Sequence, residues 1–366
     1  MNSNIMRVIK KIAVSFLLCF IMPNGCSEYK EIRPNSVSNS SLTKDPPNNI
    51  DAIIIKKTKF YVNNLMTDVT NIVPFEYGDE GEDVGIFDQF GMDVTDIHGK
   101  YKRSIKFKWK MGILYPDLVK FYPHSLFIVA GYQNPFGIMD HEGYPIWTYD
   151  NEVSYNMACG DVNGDGLLDC YVASTSLIQL DENGKKVWKS KEEIFVNVDI
   201  YLPSPPEKPL IVTLNHAGKI QIRNYIGQTI RELVPREKVY GFRICNWLNS
   251  HFVLAYQKNV IVFLGLDGEE ILRYRLSGNP SDIYSIRGTS VKSEDGKEYF
   301  AVITKFSSIT GLSMLVIFSP AKALIYHEII GGTTGLTAIN VSGAKEQMLL
   351  VGDGPGIVNK YVLSTH

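Results

Sequence analysis

The sequence predicts an all-β chain, a β-propeller of about seven four-stranded blades with the N-terminal strand closing the last blade. Three observations lead there. Short apolar runs recur at a period near 44 residues, glycine-bearing hairpin turns recur at the same period, and the chain ends one strand short of a full blade.

The apolar runs begin at Val84, Leu126, Cys170, Leu210, Phe252, Phe300 and Met348, at intervals of 42, 44, 40, 42, 48 and 48 residues. That period suits a blade of four antiparallel strands. Turn-rich loops such as Ser204–Pro209 and Ser293–Gly296 precede the runs, as hairpin connections would.

The second repeat follows each run. Asp140-His141-Glu142-Gly143 leads to Trp147, and Asp181-Glu182-Asn183-Gly184 leads to Trp188. Ile97-His98-Gly99, Asn224-Tyr225-Ile226-Gly227 and Leu266-Asp267-Gly268 are further copies, and Ser319-Pro320-Ala321-Lys322 is a degenerate one. A glycine at such a turn supplies a positive φ angle.

After Met348–Val351 one more strand, about Ile357–Leu363, precedes the end of the chain. Residues 52–62 (AIIIKKTKFYV) come before the first full unit without a partner in it. An open edge strand invites aggregation, so the N-terminal strand is expected to complete the last blade.

Composition agrees. The 366 residues are 45% hydrophobic and 21% charged, with 20 Tyr and 17 Phe, a globular and strand-leaning profile. Formal net charge is −2; without residues 1–25 it is −5, 34 basic side chains against 39 acidic. No basic run offers a footprint for nucleic acid.

Residues 1–25 read as a signal peptide. Arg7, Lys10 and Lys11 form a positive segment, and Ile12–Met22 an apolar stretch of 11 residues, too short for a membrane span of about 20. Pro23-Asn24-Gly25-Cys26 resembles the lipobox of bacterial lipoproteins, with Pro23 and Asn24 departing from its pattern. The resemblance implies a diacylglycerol on Cys26 and a lipid anchor in the cell envelope; the alternative is export without lipid, as a periplasmic or secreted protein. Ser27 at the next position would fit sorting to an outer membrane. Residues 26–50, rich in Ser, Asn and Pro, read as a flexible tether, and residues 51–366 as the propeller.

One loop carries chemistry. In Asp161-Val162-Asn163-Gly164-Asp165-Gly166-Leu167-Leu168-Asp169, oxygen side chains at alternating positions can converge on a hard cation. Asp161, Asn163, Asp165, Asp169 and the Leu167 carbonyl form the candidate Ca²⁺ set. An EF-hand would need an acid at its twelfth position, where Val172 stands. With Ala158-Cys159-Gly160 before it and Cys170-Tyr171-Val172-Ala173 after it, the loop resembles the FG-GAP/VCBS repeats of integrin-α-type propellers. In that family it joins the first two strands of a blade. The hairpins ending in Trp147 and Trp188 resemble those of quinoprotein-type propellers. Gly78–Asp83 keeps acids without the spacing, so a single surviving loop points to calcium as a local structural staple.

Five cysteines occur. Cys19 leaves with the signal, Cys26 is the lipidation candidate, and Cys245 lies in a core strand pattern. Cys159 and Cys170 flank the calcium loop, and two states stay open for them. One is a disulfide, which an oxidising compartment permits. The other is a pair of buried thiols: if Asp161 faces Asp169, then Cys159 faces Tyr171, one residue out of register.

The seven histidines form no pair at metal-ligand spacing, and no HExxH or nucleophile-elbow motif occurs. The function expected is a monomeric, non-enzymatic binding or scaffold propeller at the cell envelope, its partner a protein or glycan. The alternative is a polysaccharide-active lyase or hydrolase using the central cleft.

Overall fold

The computed structural model describes residues 53–76, 82–109, 117–121, 124–130, 135–191, 194–203, 207–276, 282–306, 311–340 and 345–365. The signal peptide, Cys26, the tether and part of the acidic Gly78–Asp83 segment lie outside the described residues.

All regular elements among them are β-strands, arranged as seven four-stranded antiparallel sheets, the blades of a β-propeller. The first blade is β2 (Asn71–Glu76), β3 (Glu82–Phe87), β4 (Gly91–Asp96) and β5 (Tyr101–Lys106). The second is β6 (Asp117–Phe121), β7 (His124–Val129), β8 (Phe136–Met139) and β9 (Pro145–Tyr149). The third is β10 (Asn156–Gly160), β11 (Asp169–Ala173), β12 (Leu177–Leu180) and β13 (Lys186–Lys189). The fourth is β14 (Phe195–Tyr201), β15 (Leu210–Asn215), β16 (Ile220–Arg223) and β17 (Thr229–Leu233). The fifth is β18 (Gly241–Trp247), β19 (Ser250–Gln257), β20 (Val260–Gly265) and β21 (Glu270–Arg275). The sixth is β22 (Ile283–Lys292), β23 (Glu298–Phe306), β24 (Leu312–Phe318) and β25 (Leu324–Gly331). The seventh joins β26 (Leu336–Asn340), β27 (Gln347–Gly352) and β28 (Ile357–Thr365) to β1 (Ile53–Val62).

The seven apolar runs are the second strands of the blades, and their continuity has a physical cause. Successive side chains of a strand point to opposite faces, and both faces of a blade are covered by its neighbours. On β23, Phe300 and Val302 join the core shared with the fifth blade, whereas Ala301 and Ile303 join the core shared with the seventh. Among the described residues the buried apolar side chains fall into seven clusters, one per boundary between adjacent blades. Full burial of one Val, Leu, Ile or Phe contributes about 1.5–3 kcal/mol, so each boundary is a substantial core and no blade has one of its own.

The outer hairpins repeat because one side chain organises each. Asp140 Oδ1 accepts the backbone N–H groups of Glu142 and Tyr144 at 3.0 and 2.8 Å. Asp96 and Asp181 bond their turns in the same way. The third and fourth strands shift register at each of these turns, a β-bulge. The degenerate copy keeps the geometry: Lys322 adopts φ 63° where the other hairpins place glycine, a strain of about 1–2 kcal/mol for a residue with a Cβ.

Two of the glycines have a second reason to be glycine. A Cβ on Gly184 would fall 2.6 Å from the Trp147 ring, and one on Gly227 would fall 2.5 Å from the Trp188 ring. Each tryptophan on a blade's outer strand thus slides beneath the hairpin of the next blade. Trp147 is 8% exposed, so packing between blades accounts for its place.

Closure rests on β1. It pairs antiparallel with β28 from Ile53↔Thr365 to Val62↔Ile357. Its side chains also tie the seventh blade to both neighbours. Lys57 Nζ donates to Glu328 Oε1 of the sixth blade at 2.7 Å and to Asp353 Oδ2 at 3.2 Å. Tyr326 and Tyr361 hydroxyls donate to Glu328 Oε2 at 2.7 and 2.8 Å. On the other side, Tyr61 donates its hydroxyl to the buried Asp93 of the first blade at 2.8 Å, joined by Asn63 Nδ2 at 2.7 Å. Burial works to raise the Glu328 pKa, but bonds from Lys57, Tyr326 and Tyr361 outweigh it and hold the carboxyl below its usual range.

Lys57→Ala should therefore lower stability by about 1–2 kcal/mol at neutral pH, a figure tempered by the partial exposure of the pair. Because Glu328 is depressed below the ordinary value of about 4.3, its contribution is complete above that pH and is lost as pH falls through the lowered value. Urea melts of wild type and variant should differ at neutral pH and converge in acid. An equal gap at both would contradict this bridge.

Candidate functional site

Two places combine chemistry with access. The first is the loop between β10 and β11. The strands pair Gly160 with Asp169 and Cys159 with Cys170. This corrects the expected register: the closing pair begins at Gly160, not Asp161, so Cys159 faces Cys170 while Tyr171 faces Ala158. Brought opposite each other, the two cysteines form a disulfide. Cys245, on β18, is a buried thiol whose pKa burial pushes up.

Within the loop, Asp161 Oδ1 and Oδ2 accept the N–H groups of Gly164 and Gly166 at 2.7 and 3.0 Å. Asn163 Oδ1 accepts Asp165 N–H, and Asn163 Nδ2 donates to Asp165 Oδ2. Asp165 Oδ1 accepts the N–H of Leu167, which sits exposed in the same turn. Asp169 is buried; Gln179 Nε2 donates to its Oδ1 at 2.8 Å, whereas Oδ2 is buried with no hydrogen-bond partner. Burial first, and then the charges of Asp165 and Asp161, push the Asp169 carboxyl up against the opposing bonds from Gln179 and the Val162 N–H.

Among the described residues no three His, Cys, Asp or Glu side chains converge closely enough to hold a metal; the loop oxygens accept its own N–H groups instead. The donor set nonetheless fits a hard cation. It is all oxygen, three of its members are carboxylates, and one buried carboxylate oxygen lacks a partner.

The second place is the centre of the ring, where the first strands of adjacent blades lie side by side. Five polar side chains from five blades meet there: Asn71, Asp117, Asp199, Arg243 and Arg287. Arg287 Nη1 donates to Asn71 Oδ1 at 2.7 Å, and Asn71 Nδ2 donates to Asp117 Oδ1 at 3.0 Å. Arg287 Nη2 and Arg243 Nη2 lie 4.0 and 3.7 Å from Asp117 Oδ2. Asp199 Oδ2 accepts Ile244 N–H at 3.0 Å, and its Oδ1 accepts Ile200 N–H at 2.9 Å. Burial pushes the Asp199 carboxyl up, opposed by the Arg243 charge and the two N–H groups. Burial likewise lowers Arg287 to about 10, opposed by Asp117.

A cavity of about 290 Å³ opens beside this cluster, where β10, β14, β18 and β22 begin. Tyr155, Tyr240 and Tyr284 line it, together with Asn156, Asn197 and Arg243. Tyr240 and Tyr284 are 44% and 48% exposed. The loop of the third blade, a connection between first and second strands, opens at the other end of those strands.

Sequence reasoning found the loop and missed the centre. Nothing in the sequence marks single polar residues, dozens of positions apart, as neighbours; only the ring brings them together.

No protein-family model matches the sequence, and no curated protein sequence matches it. Among solved structures, the chain is similar to two described as BBS1N in complex with ARL6DN, one soaked with mercury and one with lead. Identity is 12% and 11% and the TM-scores are 0.54 and 0.56; each match covers 85% of this chain and 95% of the other. At that identity the likeness is one of fold: this chain shares the propeller architecture of those proteins.

Proposed function

We propose that the chain is a non-enzymatic binding propeller whose ligand, a protein, docks on the tyrosine-rimmed mouth of the ring. One observation carries the reading: exposed Tyr240 and Tyr284 stand beside Arg243 around a cavity on one face, and tyrosine and arginine are the residues that dominate protein interfaces. The carboxylates at the centre serve other partners. Asp117 is engaged by Asn71, the Leu118 N–H and two arginines, and Asp199 by two backbone N–H groups. The solved propellers of similar fold were captured with a protein bound, which agrees with this class of role. A lipid on Cys26, with residues 26–50 as tether, would hold the ring at the cell envelope. Calcium at Asp161, Asn163, Asp165, Leu167 and Asp169 would pin the third blade, beside the FG-GAP-like strands that flank it.

Envelope extracts passed over wild-type protein and over the Tyr240→Ala/Tyr284→Ala variant test the docking face. A partner retained by the wild type should be lost by the variant, while both melt at the same temperature. Equal retention by the two would contradict a docking role for this mouth.

Calcium is tested separately by melting curves. A ligand that binds only the native state stabilises it by RT ln(1 + [L]/Kd). With the millimolar-range affinity of extracellular calcium modules, millimolar calcium should add roughly 1 kcal/mol over EDTA, and Asp165→Ala should remove that gain. Identical wild-type curves in calcium and EDTA would show that the loop is only an acidic turn.

A further inference from the structure

We propose that the mouth of the ring takes one carboxylate, the side chain of an Asp or Glu on a partner protein, held by the Arg243 guanidinium. The inference rests on the docking reading above and names the chemistry that reading leaves open.

The two arginines at the centre are not equivalent. Arg287 is 15% exposed and spends a donor on Asn71. Through Asn71, which in turn donates to Asp117 Oδ1, it is tied into the central cluster. Arg243, on the third position of β18, is 25% exposed and lines the cavity. Its nearest carboxylate oxygen, Asp117 Oδ2, is 3.7 Å away, beyond hydrogen-bond reach. Among the described residues no acceptor takes a hydrogen bond from this guanidinium, although it carries five N–H donors. No nitrogen of this guanidinium is buried without a partner, so its N–H groups face the water of the cavity, where an acceptor on a ligand can replace that water.

Planarity selects the acceptor. A guanidinium presents parallel N–H groups that match the two oxygens of a carboxylate. Charge selects a monoanion over a phosphate dianion. Two arginines and two aspartates stand at the centre and their formal charges cancel, so each further negative charge is opposed and a dianion is opposed more than a monoanion. The surroundings strengthen the contact, because Tyr155, Tyr240 and Tyr284 displace water around the pair and lower the local dielectric.

Size selects a peptide over an extended sugar chain. Pockets for drug-sized ligands span about 300–1,000 Å³, and this one is about 290 Å³. It holds one or two side chains. Asn156 and Asn197 line the same wall; Asn197 Nδ2 donates to the Phe242 carbonyl and Asn156 Oδ1 accepts the Val198 N–H, which leaves the Asn156 amide N–H groups for a peptide carbonyl beside the acidic residue.

A random-peptide phage library selected on the full chain tests this. The selected peptides should share an Asp or Glu and should bind Arg243→Gln about tenfold or more weakly than wild type. Replacing that acid by its amide in the peptide should cost as much. N-acetylglutamate amide should displace the peptides, and N-acetylglutamine amide should not; this displacement, read on the wild type, decides the matter even if Arg243→Gln fails to fold. Peptides that need Tyr240 and Tyr284 but carry no acid, or bind Arg243→Gln unchanged, would overturn the carboxylate inference and leave the docking face standing. A library yielding nothing sensitive to the tyrosine pair would overturn both. Arg243-dependent binding of oligogalacturonate with no peptide selected would overturn the peptide occupant.

Discussion

Ring closure is the constraint on which everything else depends. No blade owns a hydrophobic core; each of the seven cores is shared across a boundary, and the two that flank the seventh blade are completed when β1 lies on β28. The first and last strands of the chain must therefore meet before the cores of the first, sixth and seventh blades are complete. Residues 271 positions apart, Lys57 and Glu328, become hydrogen-bond partners by this step. The division runs along the length of β1, across the register shift between Lys59 and Tyr61: Ile53 and Ile55 pack towards the sixth blade, and Phe60 and Tyr61 towards the first. Long-range pairing of this sort is costly in loop entropy and is repaid late in folding.

Closure also creates the centre. Asn71, Asp117, Asp199, Arg243 and Arg287 come from five blades and would be scattered, solvated side chains on any open array. In the closed ring they form a polar plug whose members hold one another in place, with Arg243 left facing the cavity. The mouth is consequently a property of the whole ring rather than of a motif. The third blade is reinforced independently, by the Cys159–Cys170 disulfide across β10 and β11. A bridge closing a loop of this size contributes about 2–3 kcal/mol in the chain-entropy account. Calcium would act on the same two strands, through Asp161, Asn163, Asp165 and Asp169.

Much of the fold was legible because burial on both faces writes itself as uninterrupted apolar runs. Strand β11 is buried at all five positions, and its counterparts gave the period. The hairpins were legible because the Asp-x-x-Gly spacing of three of them has a hydrogen-bonding purpose, at Asp96, Asp140 and Asp181. Outer strands were harder to see. Strand β17 is exposed at four of five positions, so it carries little apolar pattern. The register of β10 on β11 could not be read, since loop length alone does not say whether Gly160 or Asp161 faces Asp169. That one-residue ambiguity is what kept the disulfide open. The plug was invisible for a different reason: isolated polar residues without periodicity acquire meaning only from the positions of their blades.

Native-state hydrogen exchange read by mass spectrometry tests the central claim most directly. If β1 closes the ring, its amides and those of β28 open only with the whole molecule, and both segments should exchange in the slowest class, with the free energy of global unfolding. Rapid exchange of β1 while the strands of the other blades stay protected would show that the ring holds without it, and would contradict the account.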